Sequence, residues 1–322
     1  MNARSLIMSA LCMATCVAFV AHAEDSYPNR AIRVLVAFPA GGSADIVGRL
    51  LTKKITEMTG DNFVVENRPG AGGNLAFAAA ATAPPDGYTL IFSTPGIAIN
   101  PHLYRKVEYK ITDFKAIALI GEAPLALMVR PDLPINTVDE LIKASAAAPD
   151  AIRFASSGNG SSSHLAADVL KSMTELQYLH VPYKGGAAAM VDMLGGRVDM
   201  TVLPISESLP YIRDGRLRAL GQTGSKRSPI APDIPTIEEG GVKGYSSTTW
   251  YMLLGPSKLP PAITAALAQK VDAALRSPDL QKQLEAAGVS LINTGPDKAN
   301  EFLVSESARW AKAIERSGTR ID

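Results

Sequence analysis

Only two of the 322 residues are cysteine, and both, Cys12 and Cys16, lie within the first 23. The remainder has no thiol for a disulfide or a soft-metal site and must be held together by burial alone. Histidine is equally scarce. His102, His164 and His180 are the three beyond residue 23, and no two of them stand at metal-ligand spacing, so neither a metal nor a cofactor is expected. Nor is there an excess of charge of either sign. Lys and Arg number 32 against 31 Asp and Glu, which excludes the basic footprint of a nucleic-acid binder or of a protein held on an acidic membrane surface. After residue 23 no run approaches the roughly 18 uninterrupted apolar residues of a membrane-spanning helix. The enzyme signatures G-x-S-x-G, H-E-x-x-H, G-x-x-x-x-G-K-[ST] and a complete G-x-G-x-x-G are missing as well.

What is present begins with an export signal. Arg4 gives a basic start, Leu11 to Val20 an apolar core, and Ala21-His22-Ala23 a small-x-small cleavage site, so cleavage after Ala23 and a periplasmic location are expected. Taking 23 from 322 leaves 299 residues, more than one domain of roughly 100–200 residues would use.

From Tyr27 onward, short Val- and Ile-rich runs alternate with longer stretches of helical periodicity, the pattern of βαβ units in an α/β fold. Ile32 to Phe38 reads as a buried strand, and Val47, Leu51, Ile55 and Met58 fall on one helical stripe. A second block starts near Pro124, with strands at Leu125–Val129, Ile152–Ala155, Tyr178–Pro182, Val198–Leu203 and Arg218–Gln222. The Pro-, Gly- and acid-rich stretch from Pro229 to Gly244 reads as a long connection, followed by a strand at Thr249–Leu254 and helices at Pro261–Arg276 and Glu301–Glu315.

Three strand-to-helix junctions are built from small residues. In Phe38-Pro39-Ala40-Gly41-Gly42-Ser43-Ala44-Asp45 the glycines allow positive φ or close backbone approach, and Ser43 can cap the helix. A helix start leaves unpaired N–H groups at the positive end of the helix dipole, a place for an anion. An ordinary glycine turn with a capped helix is the alternative. Phe154 to His164 repeats the design with Ser156, Ser157, Gly158, Asn159, Gly160, Ser161, Ser162 and Ser163, and Val181 to Ala187 repeats it with Lys184, Gly185 and Gly186, where Lys184 reads as an exposed turn residue. His164 and Asp168, four apart, read as a local pair or one wall of a site.

The motifs together resemble one family. Phe38–Asp45, Glu66-Asn67-Arg68-Pro69-Gly70-Ala71-Gly72-Gly73-Asn74, Pro85–Leu90, Val181–Gly186, Gly196-Arg197-Val198-Asp199 and Pro232–Thr236 look like those of periplasmic substrate-binding proteins of tripartite tricarboxylate transporters, the Bug-type receptors. The resemblance implies a non-enzymatic, two-domain fold of the type II periplasmic-binding-protein kind, each domain a mainly parallel sheet flanked by helices, with the ligand in the cleft between them. Domain 1 would be residues 24–123 with 245–322, and domain 2 residues 124–244. It also implies a monomer that delivers a small carboxylate to the membrane components of the transporter. The carboxylate would be held through backbone, hydroxyls and water between Phe38, Ala40, Gly41, Gly42 and Ser43 on one side, where Asp45 offsets the helix dipole or bonds a neighbouring loop rather than touching a like-charged ligand, and Ser156, Ser157, Gly160, Ser161, Ser162 and His164 on the other, with Phe38 an apolar wall. Gly186 would join them, and Ser93, Thr94 and residues after Val202 would line the variable part. A ligand sensor for a signalling partner, or a serine hydrolase using Ser161, His164 and Asp168, are the competing expectations.

Overall fold

The computed structural model describes residues 27–149, 151–317 and 320–321, so the expected signal peptide lies outside the described residues. The strands are β1 (Ile32–Val36), β2 (Phe63–Asn67), β3 (Thr89–Ser93), β4 (Phe114–Val129), β5 (Arg153–Ser156), β6 (Leu179–Pro182), β7 (Met200–Pro204), β8 (Arg218–Gln222), β9 (Thr248–Pro256) and β10 (Ser290–Thr294). The helices are α1 (Ser43–Thr59), α2 (Asn74–Ala81), α3 (Gly96–Leu103), α4 (Val138–Ala147), α5 (Ser162–Met173), α6 (Gly186–Leu194), α7 (Ile205–Arg213), α8 (Pro261–Leu275), α9 (Pro278–Ala286) and α10 (Pro296–Ser317).

All ten strands form one curled sheet in the order β2-β1-β3-β9-β4-β7-β5-β6, with β10 and β8 also on β4. The sixteen-residue β4 joins its two halves. Phe114–Pro124 pairs with β9, while Leu125–Val129 pairs with β7 and β8. Pro124 stands where the partners change, a position at which a missing N–H costs the ladder little. Sequence reading places a strand only from Leu125, because Gly121 and Pro124 look like breakers and FKAIALIGEAPLALMV, buried along nearly its whole length, has no period-2 alternation.

Parallel pairing holds where helices connect successive strands, in β2-β1-β3 and in β6-β5-β7. The ladders of β4 and β9 are antiparallel because β4 takes the chain into the second half and β9 brings it back.

Each half-sheet is covered on both faces. Along β1, Val34 and Val36 pack with Val47, Leu51 and Ile55 of α1, while Leu35 faces Phe77 of α2 and Trp250 of β9. Along β4, Leu125, Leu127 and Val129 point to α4 and α5, and Ala126 and Met128 to α6 and α7. A smaller cluster of Ile99, Leu103, Leu165, Trp310 and Ile314 joins α3, α5 and α10 across the two halves. Asp199 of the Gly196–Asp199 motif is buried and accepts from the Arg153 Nε at 2.7 Å and backbone N–H at 2.9 Å, locking β5 to β7, with Arg130 at 3.1 Å. The sequence reading misses α3, α7 and α9. Pro101 lies within α3 and Pro210 within α7, and each removes one helical donor from a short element.

A cavity where four helices begin

The junction after β1 is held from behind. The Asp45 carboxylate, buried in the first turn of α1, accepts from the Gly41 N–H at 2.9 Å, Arg49 Nε at 2.8 Å and Asn67 Nδ2 at 2.9 Å, and Asn67 also donates to the Phe38 carbonyl. Burial alone would raise the Asp45 pKa, but these hydrogen bonds hold it below the usual carboxylate range. Gly41 has φ +81°, whereas Gly42 is extended at φ −77°, so only the first needs glycine's freedom. Ser43 is not the cap. Gly42 is the N-cap, without a side-chain bond, and the Ser43 hydroxyl meets the buried Tyr251 phenol instead.

Helix α5 is capped by Ser161, whose Oγ accepts from the His164 N–H at 3.3 Å and donates to the Gly158 carbonyl at 2.6 Å. Helix α6 starts from Gly185, and α7 from Pro204 directly off β7. The starts of α1, α5, α6 and α7 meet around a cavity of about 110 Å³ between the two sheet halves. Its walls include Phe38, Ala40, Gly41, Gly42, Ser43, Thr94, Ser157, Ser161, Ser162 and Gly186 from the sequence reading. Four dipole ends aimed at one small space favour an anion there.

Five anticipated residues lie outside the lining. Asp45 staples its own loop, and Ser93 is fully buried with its Oγ donating to the Thr94 carbonyl. Ser156 Oγ lies 2.7 Å from His180 Nε2, Gly160 at φ +71° donates its N–H to His164 Nδ1, and His164 stacks on His180 at 4.1 Å, with an interplanar angle of 7°. That histidine pair borders a separate groove with Asp168 and Tyr178. The hydrolase arrangement does not form. His164 Nε2 lies 3.4 Å from Asp168 Oδ2, but its Nδ1 is taken by Gly160 and the Ser161 hydroxyl by Gly158, so no imidazole nitrogen reaches the serine.

The lining also contains Ser163 of the serine-rich junction, Glu207 after Val202, and Thr249, with Lys184 exposed at its edge. Ser163 Oγ and Thr249 Oγ1 are buried and have no hydrogen-bond partner among the described residues. Glu207, on the first turn of α7, accepts from the Ser43 N–H across the cleft, and burial pushes its carboxyl up to about 6. Ser163 falls inside the serine-rich junction and was within reach of pattern reading. Glu207 falls in the stretch after Val202 expected to line the variable part, whereas Thr249 sits on an ordinary strand, where no local signal marks it.

An unpartnered buried hydroxyl costs a protein about 1–3 kcal/mol. Ser163→Ala and Thr249→Val are therefore expected to leave the melting temperature of the free protein unchanged or raise it, while each weakens binding about tenfold. Differential scanning calorimetry beside isothermal titration checks both halves of that statement. A lowered melting temperature with unchanged affinity would make the hydroxyls merely structural.

Among the described residues no cluster of three or more His, Cys, Asp or Glu could hold a metal, and no helix is long and apolar enough to cross a membrane. Residues 47–319 match the tripartite tricarboxylate transporter family receptor. The chain belongs to that family. It is 33% identical over 300 residues to BugT of Bordetella pertussis, spanning 92% of each chain. Among solved structures it superposes on Rpa4515 of R. palustris, determined with adipate, with TM-score 0.86 and 34% identity over 91% of this chain and 99% of that one. MatC of Rhodopseudomonas palustris, with bound malate, gives TM-score 0.84 and 30% identity over 89% of this chain and 100% of that one. These receptors are substrate-binding proteins rather than enzymes, consistent with the unassembled triad.

Proposed function

We propose that this chain is a periplasmic receptor, exported and cleaved after Ala23, that closes two lobes on a small carboxylated organic ligand and presents it as a monomer to the membrane components of a tripartite tricarboxylate-type transporter. The lobes are residues 24–123 with 245–322 and residues 124–244, hinged where β4 changes partners and where β9 returns. The observation behind this reading is the meeting of four helix starts around a cavity that also holds the unpartnered hydroxyls of Ser163 and Thr249. Adipate and malate in the related receptors support the ligand class.

Magnitudes favour closure over binding to one lobe. A helix start gives an anion about 0.3–1 kcal/mol when exposed and up to about 2 when partly buried. Each hydrogen bond to a charged group adds about 1.5–3 kcal/mol. Micromolar affinity needs about 8 kcal/mol after ordering costs, so groups from both lobes must converge on one carboxylate. In this reading Thr249 reaches the carboxylate from the first lobe, where Phe38, Ala40, Gly41, Gly42, Ser43 and Thr94 wall the cavity, and Ser157, Ser161, Ser162, Ser163 and Gly186 serve from the second. Asp45, Ser93, Ser156, Gly160 and His164 support the walls.

The test is thermal shift of refolded, ligand-stripped protein against mono-, di- and tricarboxylates, aromatic acids and amino acids. At least one is expected to raise the melting temperature by several degrees at millimolar concentration. A flat response across the panel would refute the proposal.

A further inference from the structure

We propose that Glu207 selects a ligand bearing a cationic nitrogen as well as a carboxylate, that is, an amino acid rather than a simple organic acid. The inference rests on the carboxylate-receptor reading and narrows it. Glu207 lines the cavity from α7, takes one hydrogen bond from the Ser43 N–H, and has no ion pair with any side chain among the described residues. A side chain at Gly186 would place its Cβ 3.1 Å from Glu207 Oε2, so the carboxylate lies against the start of α6 as well as that of α1.

The cavity thus has two poles. One is a protein carboxylate between α1 and α6. The other is the start of α5 with the unpartnered Ser163 hydroxyl, together with that of Thr249. A carboxylate accepts about four hydrogen bonds, and the one from Ser43 leaves Glu207 room for more. A ligand ammonium can take that room and neutralise the charge. A second ligand carboxylate could take it only by sharing a proton with Glu207, which costs affinity above pH 7, because two like charges in a small desolvated space repel strongly. The raised Glu207 carboxyl, at about 6, still leaves the group ionised at neutral pH and available to a cation.

Matched pairs that differ only in the α-ammonium isolate the effect: aspartate and succinate, glutamate and glutarate, leucine and 4-methylpentanoate, phenylalanine and 3-phenylpropanoate. Titration calorimetry at pH 7.5 with ligand-stripped protein is expected to give, for any pair that binds, an amino acid at least about 50-fold tighter than its amine-free partner. In Glu207→Gln, which keeps the size and the acceptor oxygen, that ratio should collapse to within about fivefold through loss of amino-acid affinity. Binding only of amine-free acids would overturn the inference and leave the carboxylate-receptor reading standing. So would an unchanged ratio in Glu207→Gln, or equal tightening of both members, the sign of a protein carboxylate that merely competes with the ligand's. Absence of binding by every acid in the set, malate and adipate included, would overturn both.

Discussion

Gly72→Ala is expected to weaken ligand binding by at least about 100-fold, or about 2.7 kcal/mol, while costing the free protein about 1–2 kcal/mol of stability. Gly72 sits in the short 3-10 turn Ala71–Gly73 of the first lobe at φ +64°, ψ 20°. A Cβ built there would stand 2.5 Å from the Asn159 carbonyl of the second lobe and 2.5 Å from the Tyr104 hydroxyl, which itself donates to Asn159 at 3.3 Å. The backbones of the two proposed lobes approach too closely at this point for any side chain. Alanine therefore holds the cleft ajar. The left-handed backbone adds its own cost of about 1–2 kcal/mol, and Gly215→Ala controls for it, since Gly215 has φ +68° and open space around it. The expected pattern is a similar loss of melting temperature in both variants and a loss of affinity only in Gly72→Ala. Wild-type affinity in Gly72→Ala would mean that binding does not need the approach of the lobes.

The second large effect is one of pH. Burial holds both His164 and His180 down to about 4, and His164 further disfavours charge on His180 while Asp168 opposes that shift. In the unfolded chain these histidines take up protons near pH 6.5. Stability contributed by the neutral pair is therefore complete above about pH 6.5 and is lost as pH falls toward 4, because the unfolded state binds protons that the folded state refuses. At about 1.4 kcal/mol per pKa unit, one buried histidine is worth about 3 kcal/mol across that window. Asp168, whose carboxyl burial raises and to which Tyr178 donates at 2.6 Å, works in the opposite direction and offsets part of the loss. Lys171 lies over the Tyr178 ring, and Arg309 stands in the groove wall. Urea unfolding at pH 7 and pH 4.5 is expected to differ by about 3 kcal/mol, with no imidazole titration of either ring above pH 5 by NMR. A ring titrating near 6.5 would show that the stack is solvated.

The sequence made the junctions legible and left the occupants of the cavity partly hidden, for a physical reason. Small residues between a strand and a helix signal their place by local pattern, and so Gly41, Ser161 and Gly186 are found where the four helix starts meet. Much of each family motif turns out to hold these loops rather than to line them. Asn67 of Glu66–Asn74 grips Phe38 and Asp45, Asp199 locks β5 to β7, and Gln222 fixes the Ala231–Ile234 segment through its carbonyls. A motif thus reports a shape, and its most recognisable polar residue can stand outside the cavity lining, as Asp45 and His164 do. Glu207 and Thr249 reach the cavity only because β4 and β9 bring distant segments together, which is information of the tertiary fold and not of any window of sequence. The same applies to β4, of which only Leu125–Val129 reads as a strand until its pairing with β9 on one side of Pro124 and with β7 on the other shows it to run from Phe114.

The central claim is that a ligand carboxylate lies between the lobes where the helices begin. A crystal structure with the tightest binder from the acid panel tests it most directly. The expected result is a closed protein with the carboxylate within hydrogen-bonding distance of Ser163 Oγ and Thr249 Oγ1 and of backbone N–H groups at the start of α5. Ligand density outside this cavity, for instance in the groove beside His164 and His180, or lobes standing open around a bound ligand, would contradict it.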